Sequence, residues 1–279
     1  MLIAWSRYGE QICAPLRCLS TAIHQILWLS FRANARCGHL CKLWKMRAAR
    51  LVALFEILLC SDFPTQLAIG ATLRVFGILP KTAHGELSVP YVVALSLADT
   101  ALLIGLILLL LRSHGERPRD VFLGSRPIAG EFRLGLAMTL AVFVIAIAVL
   151  GGVQLLAPFL HNVPQNPLQD MLRRPRDAGL FAVVVVIAGG VREEIQRAFI
   201  LHRFDQWLGG AWVGVVVWSL AFGFGHLLQG YDVAIATALM GMFWAIVYVR
   251  RRSVVAPLVS HSSFNLLELA QYLAINTIK

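Results

Sequence analysis

Charge is what this 279-residue chain has little of. Asp, Glu, Lys and Arg make up 14% of it, against about 25% in soluble domains. That deficit excludes an ordinary water-soluble globular domain. Acidic residues are the scarcer sign, 15 against 25 Lys and Arg, which leaves a net charge of +10. Cysteine is sparse and unevenly placed: Cys13, Cys18, Cys37 and Cys41 precede residue 42, and Cys60 lies in an apolar run. The stretch "CGHLC" (37–41) has no second pair at zinc-finger spacing, which speaks against a metal cluster there. The N-terminus lacks the basic, apolar and small-residue order of a secretory signal. Internal repeats and low-complexity segments are also missing.

Long hydrophobic runs take the place of charge. Hydrophobic residues make up 58% of the chain and the mean hydropathy is +0.71. Leu134–Val153 and Val233–Val249 hold no charge, Ala211–Tyr231 has only His226, and Tyr91–Leu111 has only Asp99. Runs near 20 residues read as membrane-spanning helices, and barrel strands would be shorter and alternating. The expected fold is an all-α polytopic transmembrane helix bundle of about seven spans, at 50–80, 88–111, 133–153, 179–201, 211–229, 232–249 and 254–275, the first interrupted by Glu56, Asp62 and Pro64. The polar, proline-bearing stretch 158–178 predicts a short interfacial helix. Residues 1–45 read as a disordered or interfacial extension, and 46–279 as one membrane-embedded domain beginning at "MRAARLVALFEILL".

The basic excess collects in loops, including "RRR" (250–252). Such loops set topology and meet anionic lipid. They predict an integral, multi-pass protein of the plasma membrane with a cytoplasmic N-terminus, whose partner is the bilayer and not nucleic acid.

Three polar groups interrupt the apolar part. In "GGVREEIQRAFIL" (189–201), Glu193 and Glu194 are followed by Arg197. A charge at mid-membrane costs about 2.5–3.5 kcal/mol on insertion scales, so it persists where it pairs or does chemistry. On a helix Glu193 and Arg197 are one turn apart, and Glu194 reaches Arg197 at i+3. "FGFGH" (222–226) places His226 late in an uncharged run, and "HSSFN" (261–265) puts His261 and Asn265 on one helix face. Each alone also fits a helix end, a satisfied core histidine or an interhelical hydrogen bond. Together they form a hydrolytic set: a carboxylate base, imidazoles and an amide donor. Two schemes use it. In one, a buried glutamate, made more basic by desolvation, activates water and returns the proton to a leaving amine, while His261 or Asn265 holds the oxyanion. In the other, His226 and His261 bind zinc with Glu193 as ligand or base. Asp99 and Glu268 read as structural hydrogen-bonding groups.

These three motifs resemble those of the CPBP family of intramembrane endopeptidases (CAAX protease and bacteriocin processing, also called Abi). That family carries a double Glu followed by Arg, Phe-x-x-x-His and His-x-x-x-Asn on separate membrane helices. Here they stand as "EEIQR" (193–197), "FGFGH" (222–226) and "HSSFN" (261–265), within about residues 179–270. The resemblance implies Glu193 as the water-activating residue assisted by His226, with Glu194 and Arg197 beside it. It implies His261 and Asn265 as oxyanion stabilisers or metal-site residues. The family is often called metalloprotease, and a metal-free glutamate mechanism is also proposed for it. One departure stands out: two residues separate the Glu pair from Arg197, where the family usually has three, so Arg197 lies about 100° round the helix from the usual position.

The function expected from this resemblance is hydrolysis of a peptide bond in a membrane-anchored or lipidated substrate. A transporter or proton-coupled carrier would use buried carboxylates and histidines as well, but the chain has no inverted repeat and its polar groups cluster in the C-terminal half. A non-catalytic scaffold would have no need of all four of Glu193, His226, His261 and Asn265.

Overall fold

The structure is a computed structural model that describes residues 30–277 except 165, 167, 169, 170, 173 and 174. The chain divides into two compact units, Met1–Glu56 and Ile57–Lys279. Helix α1 runs over Ser30–Leu59, so the boundary expected at 45/46 lies inside a helix. The rest of the extension expected over 1–45 lies outside the described residues.

The second unit is helical throughout. It contains α2 (Phe63–Val75), α3 (Val89–Ser113), α4 (Pro118–Phe122), α5 (Ile128–Leu156) and α6 (Pro175–Val184). A wide π-helical segment, Val185–Arg192, leads directly into α7 (Glu193–Trp207). Then come α8 (Ala211–Phe224), α9 (Tyr231–Arg251) and α10 (Val255–Thr277). Among the described residues strand pairing is limited to one isolated bridge, Lys81 to Leu87. The all-α expectation holds.

Among the described residues four stretches are long and apolar enough to cross a membrane: Trp44–Val75, Val89–Ser113, Ile128–Leu156 and Tyr231–Arg251. Apolar side chains face outwards along them, with Leu109 63%, Leu140 71% and Ile147 70% exposed, the arrangement lipid requires. The segments 175–207 and α10 are helical where spans were expected, but carry more polar residues.

Two expected spans are broken. The first, at 50–80, breaks at 60–62, at the interruption expected there: Asp62 takes φ +69° and Pro64 opens α2. Left-handed backbone is more accessible to Asp than to most residues, and proline suits a first helical turn. The span expected at 211–229 stops at Phe224, and the chain turns through a 3₁₀ segment, Leu227–Gln229. In 158–178 the described residues include a 3₁₀ turn, Pro158–Leu160, and the start of α6, and the interfacial helix expected there falls partly outside the described residues.

Helix α9 is the central post. Its Ala245 and Tyr248 join Leu103, Ile107, Phe199 and Trp218 in one apolar core. Its Met240 and Trp244 join Val142, Ala256 and Phe264 in another. In lipid, helices associate through close backbone approach more than through apolar burial. A Cβ on Gly135 of α5 would stand 2.7 Å from the Ala256 carbonyl oxygen of α10, and one on Gly223 of α8 would stand 2.6 Å from that of Ala234 in α9. Glycine is what allows these two contacts.

Candidate active site

The π-helical segment sets the position of the double glutamate. A π-helix closes its hydrogen bonds over one more residue than an α-helix, and such stretches recur at functional sites. α10 packs against this widened turn at short range. A Cβ on Gly189 would meet Asn265 Nδ2 at 2.7 Å, and one on Gly190 would overlap the Ser262 hydroxyl at 1.9 Å. The two glycines therefore let the His261–Asn265 turn sit directly against the segment that ends in Glu193 and Glu194.

Glu194 is buried and locked. Its Oε1 accepts from Arg197 Nη1 and lies 2.8 Å from His261 Nδ1. Since a carboxylate accepts, His261 Nδ1 carries the hydrogen. The His261 ring stacks on Trp244 at 3.9 Å between centroids and 18° between planes. Arg197 is itself fully buried, with its guanidinium 4.8 Å from the Phe222 ring centroid and 5.6 Å from that of Trp244. The shortened spacing after the Glu pair thus gives Arg197 to Glu194 at i+3, not to Glu193 at i+4.

Glu193 is held more loosely. Its Oε1 is 3.3 Å from Arg192 Nη2, and its Oε2 is 3.8 Å from His261 Nε2. Arg192 is engaged mainly elsewhere, 2.5 Å from Asp99 Oδ2 and 3.3 Å from Asp62 Oδ2. Gln196 tethers the same corner by donating to Asp62 Oδ1 at 3.0 Å and to the Cys60 carbonyl at 2.7 Å.

His226 sits in the turn after α8. Its Nδ1 is 2.8 Å from the Phe222 carbonyl oxygen. A carbonyl only accepts, so Nδ1 is the donor and Nε2 is left for another partner. Because α8 ends early, His226 lies beyond the helix instead of at the outer end of a longer span. Asn265 Nδ2 donates to the Val185 carbonyl at 3.3 Å.

One cavity of about 680 Å³ is lined by Glu193, His226, His261 and Asn265 together with Arg192, Phe222, Trp244 and Glu268. Glu194 and Arg197 stand behind it. Motif reading missed Arg192, Asp62 and Trp244. Arg192 was visible only as one charge among four in its stretch, Asp62 as a flaw in the first span, and Trp244 carried no signal at all.

Among the described residues no group of three His, Cys, Asp or Glu side chains is placed to hold a metal ion. His261 and His226 each use Nδ1 on a carboxylate or carbonyl acceptor and keep Nε2 for another partner.

At the other end of α7 a second polar cluster ties the α3–α4 loop to the bundle. Glu116 accepts from Arg203 Nη1 at 2.6 Å and from Gln206, and lies 3.0 Å from His202 Nε2. Burial pushes the Glu116 carboxyl up, but the hydrogen bonds from His202, Gln206 and Arg203 outweigh it and lower it to about 2.

Residues 175–267 match the family model described as Rce1-like, Type II CAAX prenyl endopeptidase Rce1-like. This is the CAAX protease family that the three motifs resemble. The matched segment runs from the start of α6 into α10 and contains Glu193, Glu194, Arg197, His226, His261 and Asn265. No curated protein and no solved structure matches the chain. The apolar helices point to an integral membrane protein, and the family match, over residues 175–267, does not favour the transporter.

Proposed function

We propose that the protein is an endopeptidase that hydrolyses a peptide bond at membrane depth through water activated by Glu193. The observation that carries this reading is the shared cavity lined by Glu193, His226, His261 and Asn265. Glu193 is the base because its contacts, at 3.3 and 3.8 Å, leave its oxygens available, whereas Glu194 is committed to Arg197 and His261. Glu193 takes a proton from water and the hydroxide attacks the scissile carbonyl carbon. The oxyanion is held by an N–H of Asn265, with His261 beside it, oriented through Nδ1 by Glu194. Glu193 then gives the proton to the departing amine as the C–N bond breaks, and returns to carboxylate. His226 Nε2 orients the water.

The substrate is a membrane-anchored or lipidated peptide, prenylated as the description of the matched family implies. The apolar cavity wall, with Val92, Leu150 and Phe181 among its members, suits an apolar anchor. The test is cleavage of a vesicle-anchored prenylated peptide by purified protein and by Glu193→Gln. Loss of cleavage with unchanged thermal unfolding supports the reading. Cleavage by a folded Glu193→Gln variant overturns it.

A further inference from the structure

The cavity contains a second carboxylate that the proposed reaction does not use. Glu268 follows Asn265 by three residues on α10, so His261, Asn265, Glu268 and Tyr272 lie at i, i+4, i+7 and i+11 on one face. Tyr272 and Glu268 both line the cavity. The rise of an α-helix puts Glu268 about 4.5 Å along the axis from Asn265. Among the described residues Glu268 has no hydrogen-bond or ion-pair partner, contrary to the structural hydrogen bond expected of it, and the basic side chains lining the cavity are Arg192, His226 and His261. Arg192 is spent on Asp99, Asp62 and Glu193, His261 on the Glu pair, and His226 Nδ1 on the Phe222 carbonyl. Glu268 is exposed to a cavity whose lining mixes polar groups such as Gln271 and Tyr272 with apolar ones such as Leu269, Val92 and Phe181. A carboxylate facing a partly apolar cavity is better satisfied when a counter-charge meets it.

We infer that the counter-charge arrives with the substrate: Glu268 selects peptides that carry a Lys or Arg side chain near the scissile bond. This rests on the protease reading above. An extended peptide advances about 3.3–3.6 Å per residue, so a bond held at His261 and Asn265 places the basic residue on the order of one to three positions away. Glu268 is a specificity determinant here and takes no part in bond breaking.

The experiment uses the full chain in phosphatidylcholine vesicles, which carry no net charge and so do not themselves gather basic peptides. Fluorescent anchored peptides bear Lys, Met or Glu at each position flanking the cleavable bond. Equilibrium binding is measured in the Glu193→Gln background, and kcat/KM in the otherwise wild-type chain, each with Glu, Gln or Lys at position 268. The expected result is a Lys-over-Met preference of about tenfold, the size of one partly buried charged hydrogen bond. Glu268→Gln reduces that ratio to within twofold, and Glu268→Lys inverts the order so that the Glu peptide leads. A ratio that is the same in all three proteins overturns the inference, and so does failure of every peptide to bind. Binding that follows residue 268 without any cleavage by wild type upholds the selectivity and removes the protease reading. Cleavage without charge preference does the reverse.

Discussion

Replacing Arg197 by Met tests the organisation of the site most sharply. The guanidinium is fully buried and its carboxylate partner Glu194 nearly so, at 0% and 1% side-chain exposure. Solvent therefore neither screens the pair nor rescues the survivor. Removing one member of a buried pair leaves an uncompensated charge and costs about 3–5 kcal/mol. Loss of the guanidinium over Phe222 and Trp244 adds about 1–2 kcal/mol where desolvated. At roughly 2–4 °C per kcal/mol for a chain of this size, the unfolding midpoint in detergent falls by roughly 8–28 °C. The second variant is Arg197→Met combined with Glu194→Gln, which removes both charges while keeping volume. It recovers most of the midpoint, because a buried pair is worth little against an uncharged replacement. Cleavage does not recover, because His261 loses the carboxylate that fixes its Nδ1 hydrogen. A single variant that unfolds within about 1 kcal/mol of wild type, or a double variant that cleaves normally, would refute this reasoning.

Glu193→Gln lowers kcat by about 10²–10⁴-fold, the range for losing a general base, with its unfolding midpoint unchanged in the same detergent. Asn265→Ala lowers kcat by about 10²–10³-fold through loss of one oxyanion donor, and steady-state kinetics on an anchored peptide shows whether KM is spared. Gly190→Ala drives a methyl group into the Ser262 hydroxyl. It loosens the packing of α10 on the π-helical segment at a cost of about 1–3 kcal/mol, read as a lower midpoint together with lower kcat. Glu116 has its folded value lowered to about 2 from 4.5. It therefore contributes stability above pH 4.5 that fades as pH falls towards 2. The midpoint difference between wild type and Glu116→Gln shrinks over that interval, and a difference that grows on acidification would contradict the assignment.

The helical character and the places of α3, α5 and α9 were legible because long uncharged runs have few other uses. The helix breaks were harder to see. Asp62 and Pro64 were visible as interruptions, but a left-handed residue between two helices is decided by local backbone geometry, which hydropathy averages over. The end of α8 at Phe224 fell inside an apolar run for the same reason. Within the site, helical periodicity placed His261 and Asn265 on one face correctly. It assumed a regular helix through 185–192, where the chain is π-helical and packs against α10 at Gly189 and Gly190. The Arg192 link to Asp62 and Asp99 joins residues 130 and 93 positions apart, a separation at which no local spacing rule operates.

The site also shows why two glutamates stand side by side when one would suffice as a base. A buried ion pair adds little to net stability compared with well-packed apolar side chains, and the two apolar cores already hold the bundle together. The Glu194–Arg197 pair is better explained by what it orients. Glu194 fixes His261 through Nδ1, Trp244 fixes the ring plane, and the remaining nitrogen is thereby aimed at Glu193 Oε2 across 3.8 Å. That gap is too long for a direct hydrogen bond and wide enough for one atom of a reacting group to enter between them. On the other side Arg192 touches Glu193 at 3.3 Å while its stronger bond, at 2.5 Å, goes to Asp99. Glu193 is thus left between Arg192 and His261 without a short bond to either. In the proposed reaction that is the state a base must occupy, charged enough to accept a proton and free enough to release it.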